Sequence, residues 1–259
     1  MNIGKIVNMY RPSVWIPGDQ LLANHPALSA VEDKENVQVV IVESQQRIQK
    51  LPYQRKKLVL LLSAMRHYAD DLRRRGYVVD YIRADTFMAG LKKHINQNDS
   101  TDLIMTAAAT YEGRRFQQGL EKELEIPILI LPNTQVLVGR YNPIPDPEPE
   151  KRYVMETFHR KMRRHFGLLM EGKEPVGEKW NFDAENRKKL PKDQQPPLPI
   201  SFLPDAITKE VMGEVAVMPN GVGTVDGFDY AVTRTQALSA FQDFLDHRLP
   251  LFGDYEDAL

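Results

Sequence analysis

The chain has 259 residues, of which 42% are hydrophobic and 27% charged, a balance that supports a buried core and excludes a wholly disordered chain. Its 34 Lys and Arg against 35 Asp and Glu leave a formal charge of -1, so attraction to nucleic acid or to a membrane surface requires local clustering. Cysteine is absent, which removes disulfides, thiol catalysis and any Cys-ligated zinc or iron-sulfur site from these residues.

In chain order, SVWI (Ser13 to Ile16) predicts a first strand ended by Pro17 and Gly18, and VQVVIV (Val37 to Val42) is a continuous apolar run of the kind buried on both faces. Gln54 to Arg75 places Leu58, Leu61, Leu62, Met65, Ala69 and Leu72 at helical spacing, with Arg73, Arg74 and Arg75 in the last turn and Gly76 as the stop. Its apolar run LVLLLSAM falls far short of the roughly 20 residues that span a bilayer. With no secretory signal, the expectation is a soluble cytoplasmic protein with no membrane association.

YVVDYI (Tyr77 to Ile82) restarts the sheet, and Asp85 is the expected N-cap of a helix to about Ile95. DLIMTA (Asp102 to Ala107), a helix from Glu112 to Leu124 and PILILP (Pro127 to Pro132) complete the alternation. The predicted class is α/β, a Rossmann-like five-stranded parallel sheet with flanking helices.

Composition changes at NPIPDPEPEK (Asn142 to Lys151), where the prolines forbid helix and central strand and impose a stiff extended loop. Beyond it the pattern predicts a basic helix (about Tyr153 to Phe166), the WNFDAENR segment, a Pro-rich passage (Pro191 to Pro204), a short helix near Thr208 to Val217 and a last helix from about Thr233 to Leu249. No βα alternation is rebuilt. The expected division is an α/β domain over 1–140, a connector packed on it over 141–232, and the start of a helical domain over 233–259.

IPGDQL puts Gly18, Asp19 and Gln20 at a strand's C-terminal end, where open α/β sheets bind ligands. Gly18 lets a ligand approach the backbone, and the acid and amide offer a polar floor for a heterocycle, although the same residues also make an ordinary turn. Glu43 ends the second strand at the equivalent position, so two carboxylates are expected to converge on one sheet edge. GxGxxG, GxxxxGK[ST], HExxH and GxSxG are all absent, and the six histidines show no metal spacing; neither catalytic nor metal-ligating residues are expected.

Arg160, Lys161, Arg163 and Arg164, with Lys151 and Arg152 nearby, cluster with Tyr153, Phe158 and Phe166 on the basic helix. Such a surface can track a phosphate backbone, although a charge-rich helix is more often a solvated face with its aromatics in the core. In WNFDAENR, Trp180 and Phe182 are expected to anchor a crossing chain while Asn and Asp side chains close local hydrogen bonds.

Several segments together resemble one family, the iron-sulfur bacterial cryptochromes and photolyases, a deoxyribodipyrimidine photolyase-related group that includes bacterial six-four photolyases. They are GDQL (18 to 21), KKLVLLLSAMRHYADDLRRRGYVVDYIR (56 to 83), METFHRKMRRHFGLLMEGKEPVGEKWNFDAENR (155 to 187), DAITKEV (205 to 211) and FDYAVTRTQAL (228 to 238). The resemblance implies an N-terminal α/β domain whose sheet edge holds an antenna chromophore, commonly a lumazine such as 6,7-dimethyl-8-ribityllumazine, with Gly18, Asp19, Gln20 and Glu43 on the antenna side.

It further implies that FAD and an iron-sulfur cluster reside in a C-terminal helical domain beyond FGDYEDAL. That missing domain and DNA are the expected partners of a monomer. The intact protein is expected to act as a light-driven carbon-carbon lyase on DNA photoproducts, this segment alone not being catalytic. The alternatives are a blue-light signalling cryptochrome without repair activity and a stand-alone α/β ligand-binding module. Pro17 and Arg47 depart from the family's pattern near the antenna site.

Overall fold

The computed structural model describes residues 11–31, 34, 36–184, 186–189, 191–193, 195 and 197–256. Strand β1 (Pro12–Trp15) lies between β2 (Gln38–Ser44) and β4 (Asp102–Thr106). Strands β3 (Val78–Ala84) and β5 (Ile128–Leu131) form the edges, giving the order β3-β2-β1-β4-β5 with every pairing parallel. The chain steps outward from β1 to β3, then crosses back through α4 (Phe87–Asn98) to build β4 and β5 on the other side. That reversal beside β1 creates a switch point, and the expected α/β fold is therefore observed.

Side chains alternate across β1. Val14 and Ile16 face a core completed by Leu58, Val59, Leu62, Met65, Ala69 and Leu72 of α3 (Arg55–Arg74), and by Val211 and Val215 of α7 (Ala206–Ala216). Trp15 faces the other way, into a core shared with Leu91 and Ile95 of α4 and with Leu120 and Leu124 of α5 (Tyr111–Leu124). The short helices α1 (Pro26–Ser29) and α2 (Gln45–Gln49) complete this half, and neither is expected from periodicity because each is about one turn long.

Caps explain the helix boundaries. The Gln54 side chain accepts the Lys57 N–H at the start of α3, and Gly76, with φ of 91°, ends the turn after it. Asp85 is not the cap of α4: Thr86 is, its hydroxyl accepting the Ala89 N–H at 3.0 Å. The Asp85 carbonyl instead accepts the Gln46 N–H and the Ser44 hydroxyl, tying the end of β3 to α2. That helix also runs beyond Ile95 to Asn98, where Asp99 adopts a left-handed conformation.

The chain divides into two compact units that do not follow chain order: Met1–Asn133 with Ser201–Ala237, and Thr134–Ile200 with Leu238–Leu259. This grouping differs from the linear division at 140 and 232, because residues 201–237 return to α3. Arg55 fastens that return, donating to the carbonyl of Val215 in the last turn of α7 and to those of Met218, Gly221 and Gly223 just past it. The second unit holds α6 (Met155–Phe166), a two-residue-strand hairpin of β6 (Met170–Glu171) and β7 (Glu174–Pro175), and α9 (Leu249–Tyr255). The expected last helix is α8 (Arg234–His247), and a further short helix, α9, follows it.

Among the described residues, no helix is long and apolar enough to cross a membrane.

Candidate functional site

A cavity of about 560 Å³ opens at the C-terminal ends of β1, β2 and β4, the position that the switch point prepares. Its volume lies in the range of small-molecule sites, roughly 300–1,000 Å³. Three turns line it: Pro17 to Gln20 after β1, the stretch around Glu43 to Lys50 after β2, and Ala108 to Gln117 leading into α5. Leu61, Leu62 and Met65 of α3 line it from one face of the sheet. Trp15, Phe87 and Phe116 line it from the other, their rings tilted 55–67° at centroid separations of 5.8, 6.0 and 6.3 Å. The wall is thus aromatic and aliphatic, with polar groups at the sheet edge.

Each expected residue, Gly18, Asp19, Gln20 and Glu43, lies in the lining, with different local roles. Gly18 lets Met65 approach, since a Cβ there would sit 2.6 Å from the Met65 sulfur and would force that side chain to shift. Gln20 is buried, and its Nε2 donates to the carbonyls of Thr106 and Ala107 at 3.4 and 3.2 Å, which fixes the amide between β1 and β4. Gln117 braces the same turn: it accepts the Ala108 N–H and donates to the Thr106 carbonyl, each at 2.8 Å. Asp19 is exposed on its turn.

Glu43 does more than present an acid to the cavity. It is buried, Arg66 Nε donates to its Oε1 at 2.9 Å, and the Tyr81 hydroxyl donates to the same oxygen. Arg66 also reaches Glu214 of α7 at 2.5 Å, and Arg83 joins Glu214 at 2.9 Å. Burial alone would weaken the Arg66 charge, but its hydrogen bonds to Glu214 and Glu43 outweigh that and hold it firmly protonated. Burial, then the neighbouring Glu43 carboxylate, pushes the Tyr81 phenol upward, so it stays a donor. The two carboxylates reach the same cavity, yet Glu43 is the anchor of a network spanning β2, β3, α3 and α7.

At the solvent side, Lys50 Nζ meets Glu112 Oε2 at 2.8 Å, joining the turn after α2 to the first turn of α5. Residue types and spacing did not flag this pair, because its members lie 62 positions apart. The aromatic wall was missed for a similar reason. Trp15 was legible as strand, but Phe87 and Phe116 meet it only through α4 and α5.

A Ser-His-Asp arrangement lies elsewhere. Asp80 Oδ2 is 2.8 Å from His94 Nδ1, His94 Nε2 is 2.9 Å from Ser13 Oγ, and Ser13 shares a 2.7 Å hydrogen bond with Ser100. Ser13 and His94 are 1% and 0% exposed, and neither lines the cavity at the switch point, so this serine is closed to substrate. Burial, the largest influence, depresses the imidazole despite Asp80. The chain is a polar brace for the start of β1.

The basic helix is α6. Arg160 pairs with Glu156 four residues earlier, and Arg163 donates to the carbonyls of Leu168 and Leu169 past the helix end. The guanidinium carbons of Arg160, Arg163 and Arg164 lie 5.3, 5.2 and 4.6 Å from the Trp180 ring centre. Trp180 therefore seats on α6 by cation-π contact. Phe182 is 47% exposed, contrary to an anchoring role, while the Asn181 side chain accepts the Asp183 N–H at 2.7 Å as expected for a local turn. Lys161 and Arg164 face solvent.

A family profile described as deoxyribodipyrimidine photo-lyase-related protein matches residues 14–230. A (6-4) photolyase of Agrobacterium fabrum (strain C58 / ATCC 33970) is 35% identical over 253 residues, covering 95% of this chain and 50% of the relative, so the chain spans about half that relative's length. The uncharacterized protein R852 of Acanthamoeba polyphaga mimivirus is 28% identical over 143 residues, covering 52% of this chain and 71% of the relative. A crystal structure of a bacterial class III photolyase from Agrobacterium tumefaciens aligns with a TM-score of 0.41 at 15% identity, over 51% of this chain and 27% of that one. With the profile running from β1 past α7, the chain belongs to the deoxyribodipyrimidine photo-lyase-related protein family.

Proposed function

We propose that the α/β unit seats an antenna chromophore, 6,7-dimethyl-8-ribityllumazine or a similar planar heterocycle, in the cavity at the switch point. The cavity's position and lining carry this reading: about 560 Å³ between a Trp15–Phe87–Phe116 wall and the apolar face of α3, with Gln20 locked at the sheet edge. A flat ring system fits that chemistry, since aromatic and aliphatic walls take its faces and Gly18, Asp19 and Gln20 supply a polar rim. Glu43 holds the rim in place through Arg66. When bound, the chromophore supplies near-ultraviolet and blue absorption and passes the excitation onward.

In the intact protein this unit supports light-driven repair of a DNA photoproduct, a carbon-carbon bond cleavage, with FAD and an iron-sulfur cluster held outside these residues. Two observations are consistent with that division. The sequence has no cysteine, the usual ligand of such a cluster. The relative named as a (6-4) photolyase is twice as long. DNA contact falls to the solvent-facing cations of α6, Lys161 and Arg164, while Arg160 and Arg163, less exposed, chiefly order that helix and share Trp180 with Arg164.

Titrating the purified chain with the lumazine, read by its absorption and fluorescence, tests the antenna reading. Leu61 is 37% exposed and lines the cavity, so Leu61→Trp fills the space without disturbing the deep core. The expected result is saturable binding that weakens by about tenfold or more in Leu61→Trp. No binding by the unsubstituted chain, or equal affinity in the variant, removes the reading.

A further inference from the structure

We propose that Lys50 and Glu112 form an ionic strap across the mouth of the cavity, and that opening this strap sets how fast a molecule enters and leaves. The inference rests on the cavity being a ligand site. Lys50 stands on the β2 side of the switch point and Glu112 on the β4 side, in the first turn of α5. Both line the cavity, and their side chains are 47% and 77% exposed, which puts the contact at the solvent-facing rim and not on the floor. Among the described residues, no other ion pair joins these two segments.

The strap is not needed for folding. Ser44 caps α2 by accepting the Arg47 N–H, and Gln117 holds the turn before α5, so each side is anchored without it. An exposed ion pair is weak, and breaking one changes the closed population by only about 1.5- to 5-fold. Such a contact suits a gate that opens on its own. The Lys50 hydrogen bond, supported by its charge and that of Arg47, holds the Glu112 carboxyl below its usual range, so the carboxylate stays charged near neutral pH. Arg47 also lines the cavity and can stand in for a missing Lys50, which makes Glu112 the decisive position.

Access can be read without any ligand. The chain has two tryptophans, and Trp15 lines the cavity at 4% exposure, so in a Trp180→Phe background its fluorescence reports entry of the neutral quencher acrylamide. The expected quenching constant rises about 1.5- to 5-fold in Glu112→Gln and returns toward the starting value in the swapped pair Lys50→Glu with Glu112→Lys. Raising salt from about 0.05 to about 1 M should reproduce the rise in the parent and leave Glu112→Gln unmoved. A constant that ignores both substitution and salt overturns the strap.

Dissociation of the lumazine, followed in the same variants, separates the two readings. Failure of the lumazine to bind, with acrylamide access still under Glu112 control, rejects the antenna and keeps the strap. Tight lumazine binding whose release rate and acrylamide access are both indifferent to Glu112 keeps the antenna and rejects the strap.

Discussion

His25 performs a task that its protonated form cannot. Its Nδ1 accepts the Ala27 N–H at 3.2 Å to cap α1, so the neutral ring carries its proton on Nε2, a buried atom with no hydrogen-bond partner among the described residues. Protonating Nδ1 would break the cap and bury a charge, and burial accordingly lowers the pKa from 6.5 to about 4. The folded state thus binds the proton less readily than the unfolded chain, and stability declines as pH falls from about 6.5 through about 4. A difference of that size corresponds to about 3 kcal/mol once pH is below both values. His25→Asn keeps an acceptor at the cap and removes the titration. In urea unfolding across pH 7 to 4, that variant should show a shallower decline than the parent, and an identical decline in both would reject the assignment. None of this was readable from a lone His before Pro26. By contrast the place of Gly18, Asp19 and Gln20 in the cavity lining was readable, because Pro17 and Gly18 end a strand and strand ends are where such sheets bind. Glu43 was readable by position only, since Arg66 and Tyr81 meet it, and Glu214 shares that Arg66, through packing that no local pattern encodes.

At the scale of elements, long periodic segments announced themselves and one-turn pieces did not. The six apolar positions of α3 match the buried stripe except Leu61, which faces the cavity mouth and stays partly exposed. Asp85 misled because Asp and Thr are both good N-caps and stand side by side; the hydroxyl of Thr86 won while the backbone of Asp85 served α2. The amphipathic α6 was legible in full, but its chemistry was not, since the three arginines turned toward a tryptophan some 20 residues on. Lys161 takes no part in that contact and Arg164, although it lies over Trp180, stays exposed, so these two are the cations open to a phosphate backbone. Lys161→Glu with Arg164→Glu should weaken duplex binding by the intact protein and lower the slope of log affinity against log salt by about two. Affinity and slope both unchanged in a titration at several salt concentrations would clear α6 of any DNA contact.

Across the whole molecule, chain order and packing part company. The α/β unit is completed by residues 201–237, reached only after 67 intervening residues of the second unit from Thr134 to Ile200. The Pro-rich stretch from Asn142 to Lys151 signalled a break, which sits close to the observed one after Asn133, but no local signal marks a segment that returns. What returns is apolar: Val211 and Val215 are fully buried, and Phe228 and Val232 are 3% and 7% exposed, all in the core that contains the inner face of α3. Burying each such side chain contributes about 1.5–3 kcal/mol, so the four together rival the roughly 5–15 kcal/mol by which a whole domain is stable. Arg55 adds hydrogen bonds to four backbone carbonyls of the same segment. A fragment spanning 1–140 contains all five strands and should nevertheless lack a cooperative thermal transition and bind a hydrophobic dye through its uncovered α3. Residues 1–133 joined to 201–237 by a Gly/Ser linker should regain a cooperative transition, with Trp15 again shielded from acrylamide. If calorimetry finds the 1–140 fragment unfolding as cooperatively, and at the same midpoint, as the joined fragment, the returning segment is a passenger and the five-stranded sheet stands without it.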